Sequence, residues 1–324
     1  MELIRNDELW FGNYGGCFIA DAFSLHCDKY YKQFESLINT DDFKEKFEEL
    51  KKEFKPEFKL LDNHTILIPE NFYAILGTAL LYKSLHKSQA LVACRYVDEA
   101  IFTAKICKKL DINLKMYVTK ELSQMHTLMS ELKLMGINVC TKQCQDLVNH
   151  PEMYSFQEWL AESEDKHLIN IRCNVGAFPQ VNISSYFVKQ YCEEFKKFLS
   201  ENSIKFNKIA MPVVSGTSAL GLIDDKNIRY VTYECDDYKD LKEELDSFCG
   251  TFTKVERNNI VDRVLCPQLC KMWDDGKVER KIVDISTISY KAEELSLQSL
   301  AVLNYEKGVD TLRVVKKLRI GTNL

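Results

Sequence analysis

The residues best equipped for chemistry lie at two places in the chain. Cys94-Arg95-Tyr96-Val97-Asp98-Glu99-Ala100 sets a thiol beside a guanidinium and two carboxylates a few residues on. A thiolate next to a cation is a nucleophile, and positioned carboxylates take up and release protons. Yet Cys94 directly follows the apolar run "ALVA", and no histidine adjoins it in sequence as a base, so a buried inert thiol is the better reading. His64, His126 and His167 reach it only through the fold. Asp98 and Glu99 suit the first turn of a helix, whose unpaired N–H groups carboxylates satisfy. The second place is "SGTSALG", 215–221, a small-residue turn ahead of a helix. Converging N–H groups at such a turn bind phosphate, which makes Gly216, Thr217 and Ser218 a weak anion site, with Gly221 keeping part of that character. An ordinary strand-to-helix turn capped by Thr or Ser is an equally good reading.

No metal centre is expected. Cys140/Cys144 and Cys266/Cys270 have helical i, i+4 spacing, whereas structural zinc sites favour C-x2-C, and no histidine lies close enough in sequence to complete a set. Core thiols account for them better.

The elements that position these residues follow from periodicity. Between 89 and 140 an apolar run "QALVAC" is followed by a helical stretch "DEAIFTAKICKKLDI", a second run "LKMYVT", a helix "ELSQMHTLMSELKLMGI" and "NVCT". Such alternation predicts βαβ units and a parallel sheet, with Gly136 ending the second helix. The theme returns with "HLINI", the amphipathic "ISSYFVKQYCEEFKKFLSENS", "KIAMPVV" and "IRYVTYE", which predicts a second α/β lobe. The charged helix "DDFKEKFEELKKEFK", closed by Pro56, reads as a solvated face. Beyond Glu234 the rhythm weakens, and helices are predicted at "LKEELDSFCG", "AEELSLQSLAVLNYEKG" and "DTLRVVKKL".

A length of 324 residues with 46% hydrophobic side chains supports two cores. The net charge of -5 includes no Lys/Arg block to track phosphates, so nucleic acid is not an expected partner. No apolar run approaches the ~20 residues that span a bilayer. A cytoplasmic protein with no membrane contact is expected, its twelve cysteines reduced.

Landmarks in order add a resemblance. "WFGNYGGCFIADAF" near the start, "LGTALLYKSLHKS" and "NVGAFPQVN" in the middle, and "VVSGTSALG" between a strand and a helix resemble the β subunit of tryptophan synthase, a fold-type II pyridoxal-phosphate enzyme. The likeness covers about the first 235 residues. It implies a two-lobed α/β fold of mostly parallel sheets, with residues 1–37 plus 68–178 in an N-terminal lobe. Residues 38–67 plus 179–324 would form a C-terminal lobe truncated relative to the family, since no S-G-R-G-D motif is found.

The resemblance also implies what has changed. The family's Schiff-base lysine stands five residues before the Leu-Gly of the helix; here that position is Asn71, whose amide cannot form an imine. The family's proton-transfer glutamate aligns at Cys94, and its substrate-carboxylate loop aligns at Tyr96, Val97, Asp98, Glu99 and Ala100. Two carboxylates there would repel a third. Val214 and Ser215 stand where the family has glycine. These exchanges point to a pseudoenzyme without cofactor, a binding or partner subunit in a homo-oligomer or in a hetero-oligomer with a paralogue or another subunit. The alternatives are an enzyme with rebuilt chemistry around Cys94–Glu99, or pyridoxal phosphate held non-covalently or by a displaced lysine. Lys83 and Lys105 are the candidates, although Lys83 lies roughly 18 Å along the helix from Asn71 at 1.5 Å per residue.

Overall fold

The computed structural model describes residues 32–69, 72–86, 89–94, 96–118, 120–140, 168–170, 180–213, 216–223, 225–235, 267–292 and 295–317. Its first elements are α1 (Asp41–Glu53), β1 (Lys59–Asp62), β2 (Thr65–Ile68), α2 (Tyr73–Ser84), β3 (Gln89–Cys94), α3 (Val97–Lys109) and β4 (Asn113–Val118). The chain continues with α4 (Lys120–Ser123), α5 (His126–Leu134), β5 (Asn138–Cys140), β6 (Leu168–Asn170), α6 (Gln180–Glu201) and β7 (Lys208–Pro212). Last come α7 (Thr217–Leu222), β8 (Arg229–Cys235), α8 (Pro267–Asp274), β9 (Val278–Val283), α9 (Leu297–Tyr305) and β10 (Thr311–Lys316). One compact unit holds the described residues between 55 and 71 and between 174 and 318; the other holds those between 32 and 54 and between 72 and 173. This is the expected α/β class, two mostly parallel sheets flanked by helices.

The smaller sheet has the order β5-β4-β3-β6, all parallel, with Gln89 opposite Asn113 and Cys94 opposite Val118. Its strands read as near-continuous apolar runs because helices cover a parallel sheet. α1 belongs to this unit and does more than solvate a face. Thr40 caps it by accepting the Phe43 N–H at 3.3 Å, and Phe43, Phe47 and Leu50, spaced three and four apart, are buried. The helix predicted over 121–137 is two pieces, because Met125 takes ψ 89 and interrupts it. Gly136, at φ +80, ends the second piece.

The larger sheet has the order β1-β2-β10-β7-β8-β9 and is parallel apart from the β1–β2 hairpin. α9 covers one face, where Ala210, Val231, Tyr233, Cys235, Val283, Ala301 and Val302 form a core cluster. Among its described side chains, α6 buries Phe187, Val188, Tyr191, Cys192, Phe195 and Leu199. Val188 and Cys192 meet α7 at Gly221, and Phe195 and Leu199 line one cavity with Ile209 and Tyr230, which alternate along their strands with Ala210 and Val231 and so mark the opposite face. Against expectation, "DTLRVVKKL" is strand β10 and not a helix. Its Leu312, Val314 and Val315 are buried between β2 and β7, and two sets of parallel ladder bonds outweigh a weak local helical tendency. The helix predicted at 241–250 lies outside the described residues.

Candidate functional site

Cys94 is the last residue of β3 and is fully buried. Tyr96 follows as the N-cap of α3, with extended φ -128 and ψ 146 and no side-chain cap of its own. The next two carboxylates part company. Asp98 is exposed and its Oδ1 accepts the Glu99 N–H at 2.8 Å, whereas Glu99 is buried together with Ala100. Successive helical residues point about 100° apart at 3.6 residues per turn, so neighbours in sequence do not share a face. Only Asp98 of the pair presents its charge to solvent. Arg95 and Asn71 lie outside the described residues.

In the other unit, β7 runs out at Pro212 and the chain enters α7 at Gly216, which is buried and left-handed at φ 83. A side chain is strained in that conformation, so the glycine is what lets the chain turn there. As N-cap it has no side chain to offer the first N–H groups of α7. The backbone of Thr217 and Ser218 forms the first turn of this helix. Gly221 has a different role: a Cβ there would run into Val188 Cγ1 and come within 2.9 Å of the Val188 carbonyl oxygen, so its bareness lets α7 lie against α6. Val214 and Ser215 fall outside the described residues.

Sheet topology gives both clusters a common meaning. In the smaller sheet the chain winds β3, β4, β5 in one direction and then returns to the far side of β3 for β6. In the larger sheet it winds β7, β8, β9 and returns to the far side of β7 for β10. Each sequence cluster therefore sits at the carboxyl end of the strand where its own sheet reverses, the place where open α/β sheets bind ligands.

Other predicted residues are placed elsewhere. Lys83 bonds the Asp111 carbonyl at 3.2 Å, and Asp111 precedes β4, so this ammonium lies at the amino edge of the sheet, opposite to Cys94. Lys105 is exposed on α3, His126 is exposed at the start of α5, and His64 occupies the β1–β2 turn, while His167 is outside the described residues. One member of each cysteine pair, Cys144 and Cys266, is also outside them. A titratable cluster that sequence alone does not reveal lies under α9. The Glu306 carboxylate accepts from Tyr233 OH at 2.5 Å and Lys208 Nζ at 2.6 Å, and Lys281 Nζ donates to Tyr233 OH at 3.1 Å. Burial works to raise the Glu306 carboxyl, but the Lys208 and Tyr233 hydrogen bonds prevail and hold it below the usual range. Burial, then the Glu306 contact, pushes the Tyr233 phenol up.

No protein-family model matches the chain. The tryptophan synthase beta chain of Azobacteroides pseudotrichonymphae is 20% identical over 220 residues, 60% of this chain and 54% of that protein. The tryptophan synthase beta chain of Parabacteroides distasonis is 21% identical over 257 residues, 69% of this chain and 64% of that one. The chain thus spans less than two thirds of these curated relatives. Among solved structures, the cysteine synthase of Entamoeba histolytica superposes with a TM-score of 0.50 at 10% identity, covering 80% of both chains. The fold is that of the fold-type II pyridoxal-phosphate enzymes, and the sequence matches, at 20% and 21% identity, are a low-identity likeness in the same direction. The same findings correct the expectation that no cofactor is bound. Likeness to pyridoxal-phosphate enzymes weighs for a cofactor site.

Proposed function

We propose that this chain is a pyridoxal-phosphate-binding protein of fold type II whose catalytic side chains differ from those of tryptophan synthase β chains. One observation carries the reading: both sequence clusters fall at the carboxyl ends of strands where their own sheets reverse. The residues fit the cofactor in part. The left-handed Gly216 turn leaves backbone N–H groups of Thr217 and Ser218 for a phosphate, while residue 71 offers an amide in place of an amine. When bound, the cofactor supplies an electron sink for an amine substrate.

Three exchanges relative to tryptophan synthase β chains limit the chemistry this chain could support. Asn71 can donate and accept hydrogen bonds at the cofactor position but cannot hold it covalently. Cys94, buried behind the start of α3, replaces a proton-transfer carboxylate with a thiol. Asp98, exposed on the first turn of α3, disfavours a substrate carboxylate there by like charge. Formation of tryptophan from indole and serine is therefore not expected. Equilibrium dialysis checks the reading: pyridoxal phosphate should bind saturably, and pyridoxal, lacking the phosphate, about tenfold more weakly, a difference of ~1.4 kcal/mol. Absence of saturable binding overturns it.

The joint exchange at Asn71 and Cys94 favours a second reading, a pseudoenzyme that serves as a partner subunit in a homo- or hetero-oligomer. It predicts that a cofactor-loaded chain stays inert toward amino acids while retaining a bound protein partner.

A further inference from the structure

A fold-type II scaffold with asparagine at position 71 lacks an amine where one is expected, and the larger sheet supplies another. β10 is the strand between β2, which leads to residue 71, and β7, which leads to the Gly216 turn. It ends on Lys316, which pairs with Ile68 of β2. On its other side β10 pairs with β7 as far as Arg313 opposite Ala210, three residues earlier. Lys316 is thus paired with the residue three before Asn71, on the strand that adjoins the one leading to the Gly216 turn. Neighbouring strands are only ~4.8 Å apart, within reach of a lysine's four-carbon stem.

The side of the sheet is also fixed. Arg313 reaches the Glu306 carbonyl at the end of α9, so the alternation of a strand sends Lys316 to the opposite face, with α6. Independently, the Lys316 charge acts on the Cys192 thiol of α6, which burial pushes up to about 12, and Cys192 lies where Gly221 of α7 packs. The backbone beneath the side chain is held on both its groups: Lys316 N–H donates to Ser299 Oγ at 2.8 Å, and its carbonyl accepts from Ser299 Oγ at 3.1 Å. The side chain itself is half-buried, unlike that of exposed Lys317.

We propose that Lys316 is the amine that takes up the cofactor's aldehyde in place of residue 71. The inference rests on the cofactor reading above. The neutral Nζ adds its lone pair to the aldehyde carbon, the carbonyl oxygen leaves as water with the two nitrogen-bound protons, and a carbon–nitrogen double bond remains. No oxidant or reductant takes part.

The test is borohydride reduction of the full chain with pyridoxal phosphate, followed by proteolysis and mass spectrometry, alongside the dialysis measurement. One dominant pyridoxyl adduct is expected on the Lys316 peptide, reduced at least tenfold in K316Q and in K316R, which keeps the charge and bulk. K317Q should label as the wild type does. Melting curves of both Lys316 variants establish that they fold. Label spread over exposed lysines, or undiminished in K316R, overturns the inference. Saturable binding with no adduct at Lys316 sinks this assignment alone and leaves the cofactor reading standing; no binding at all sinks both.

Discussion

Carboxylates of this protein are sorted by what surrounds them. Asp98 and Glu99 are neighbours in sequence, yet one is exposed and the other buried, so the two do not form a single charged patch. Glu306 is the strongest case. Its carboxylate, 5% exposed, binds a Lys208 ammonium that is 18% exposed. Breaking a fully buried pair costs 3–5 kcal/mol, and the partial exposure of Lys208 lowers that to about 2 kcal/mol for Glu306→Gln. The sign with pH comes from the depressed folded-state titration of Glu306. Its contribution is fully present above the unfolded value of ~4.3 and is lost as pH falls through the lower folded value. Melting temperatures of wild type and E306Q should therefore differ most at neutral pH and converge in acid. A gap that widens in acid would contradict the network.

At the scale of elements, packing explains residues that a motif reading assigns to ligand binding. Gly221 belongs to a glycine-bearing turn in sequence, but its missing Cβ accommodates Val188 and Cys192 of α6. Gly221→Ala should cost about 1–3 kcal/mol by overpacking, read as a lower urea midpoint. Adding Cys192→Ala should recover only part of it, because the Val188 carbonyl stays in place. Full recovery would mean that the thiol alone sets the spacing. β10 shows the converse, long-range contacts overriding a local pattern: Thr311–Lys316 is a strand because β2 and β7 bond it on both sides.

For the whole molecule, fold-type II architecture persists at 10% identity to a solved cysteine synthase, which is expected when layer pattern and strand order, more than particular side chains, define a fold. Among the described residues no helix is long and apolar enough to cross a membrane. The resemblance of the 10–23 segment to the family's opening motivates an oligomer, with itself or with another subunit. Light scattering with a pull-down from the native host should show a mass above that of one 37.7 kDa chain or a co-purifying protein. A strict monomer with no partner would count against assembly.

Local pattern was enough for much of this protein. Residues 89–140 alternate in short blocks, each completing a strand or helix from its own neighbours, so β3, α3, β4 and the stop at Gly136 are legible without a fold. The order of the landmark motifs likewise points to the superfamily. What only the tertiary structure decided depends on residues far apart in the chain. Lys316 meets Ile68 across a register no local window contains, Glu306 finds Lys208 and Tyr233 beneath α9, and Gly221 meets α6. Val314 and Val315 fit a strand, but the same short apolar run also suits a helix. Two partner strands, each offering a row of N–H and carbonyl groups that need partners, settle that choice, and in doing so they bring a lysine to the edge where the sheet reverses.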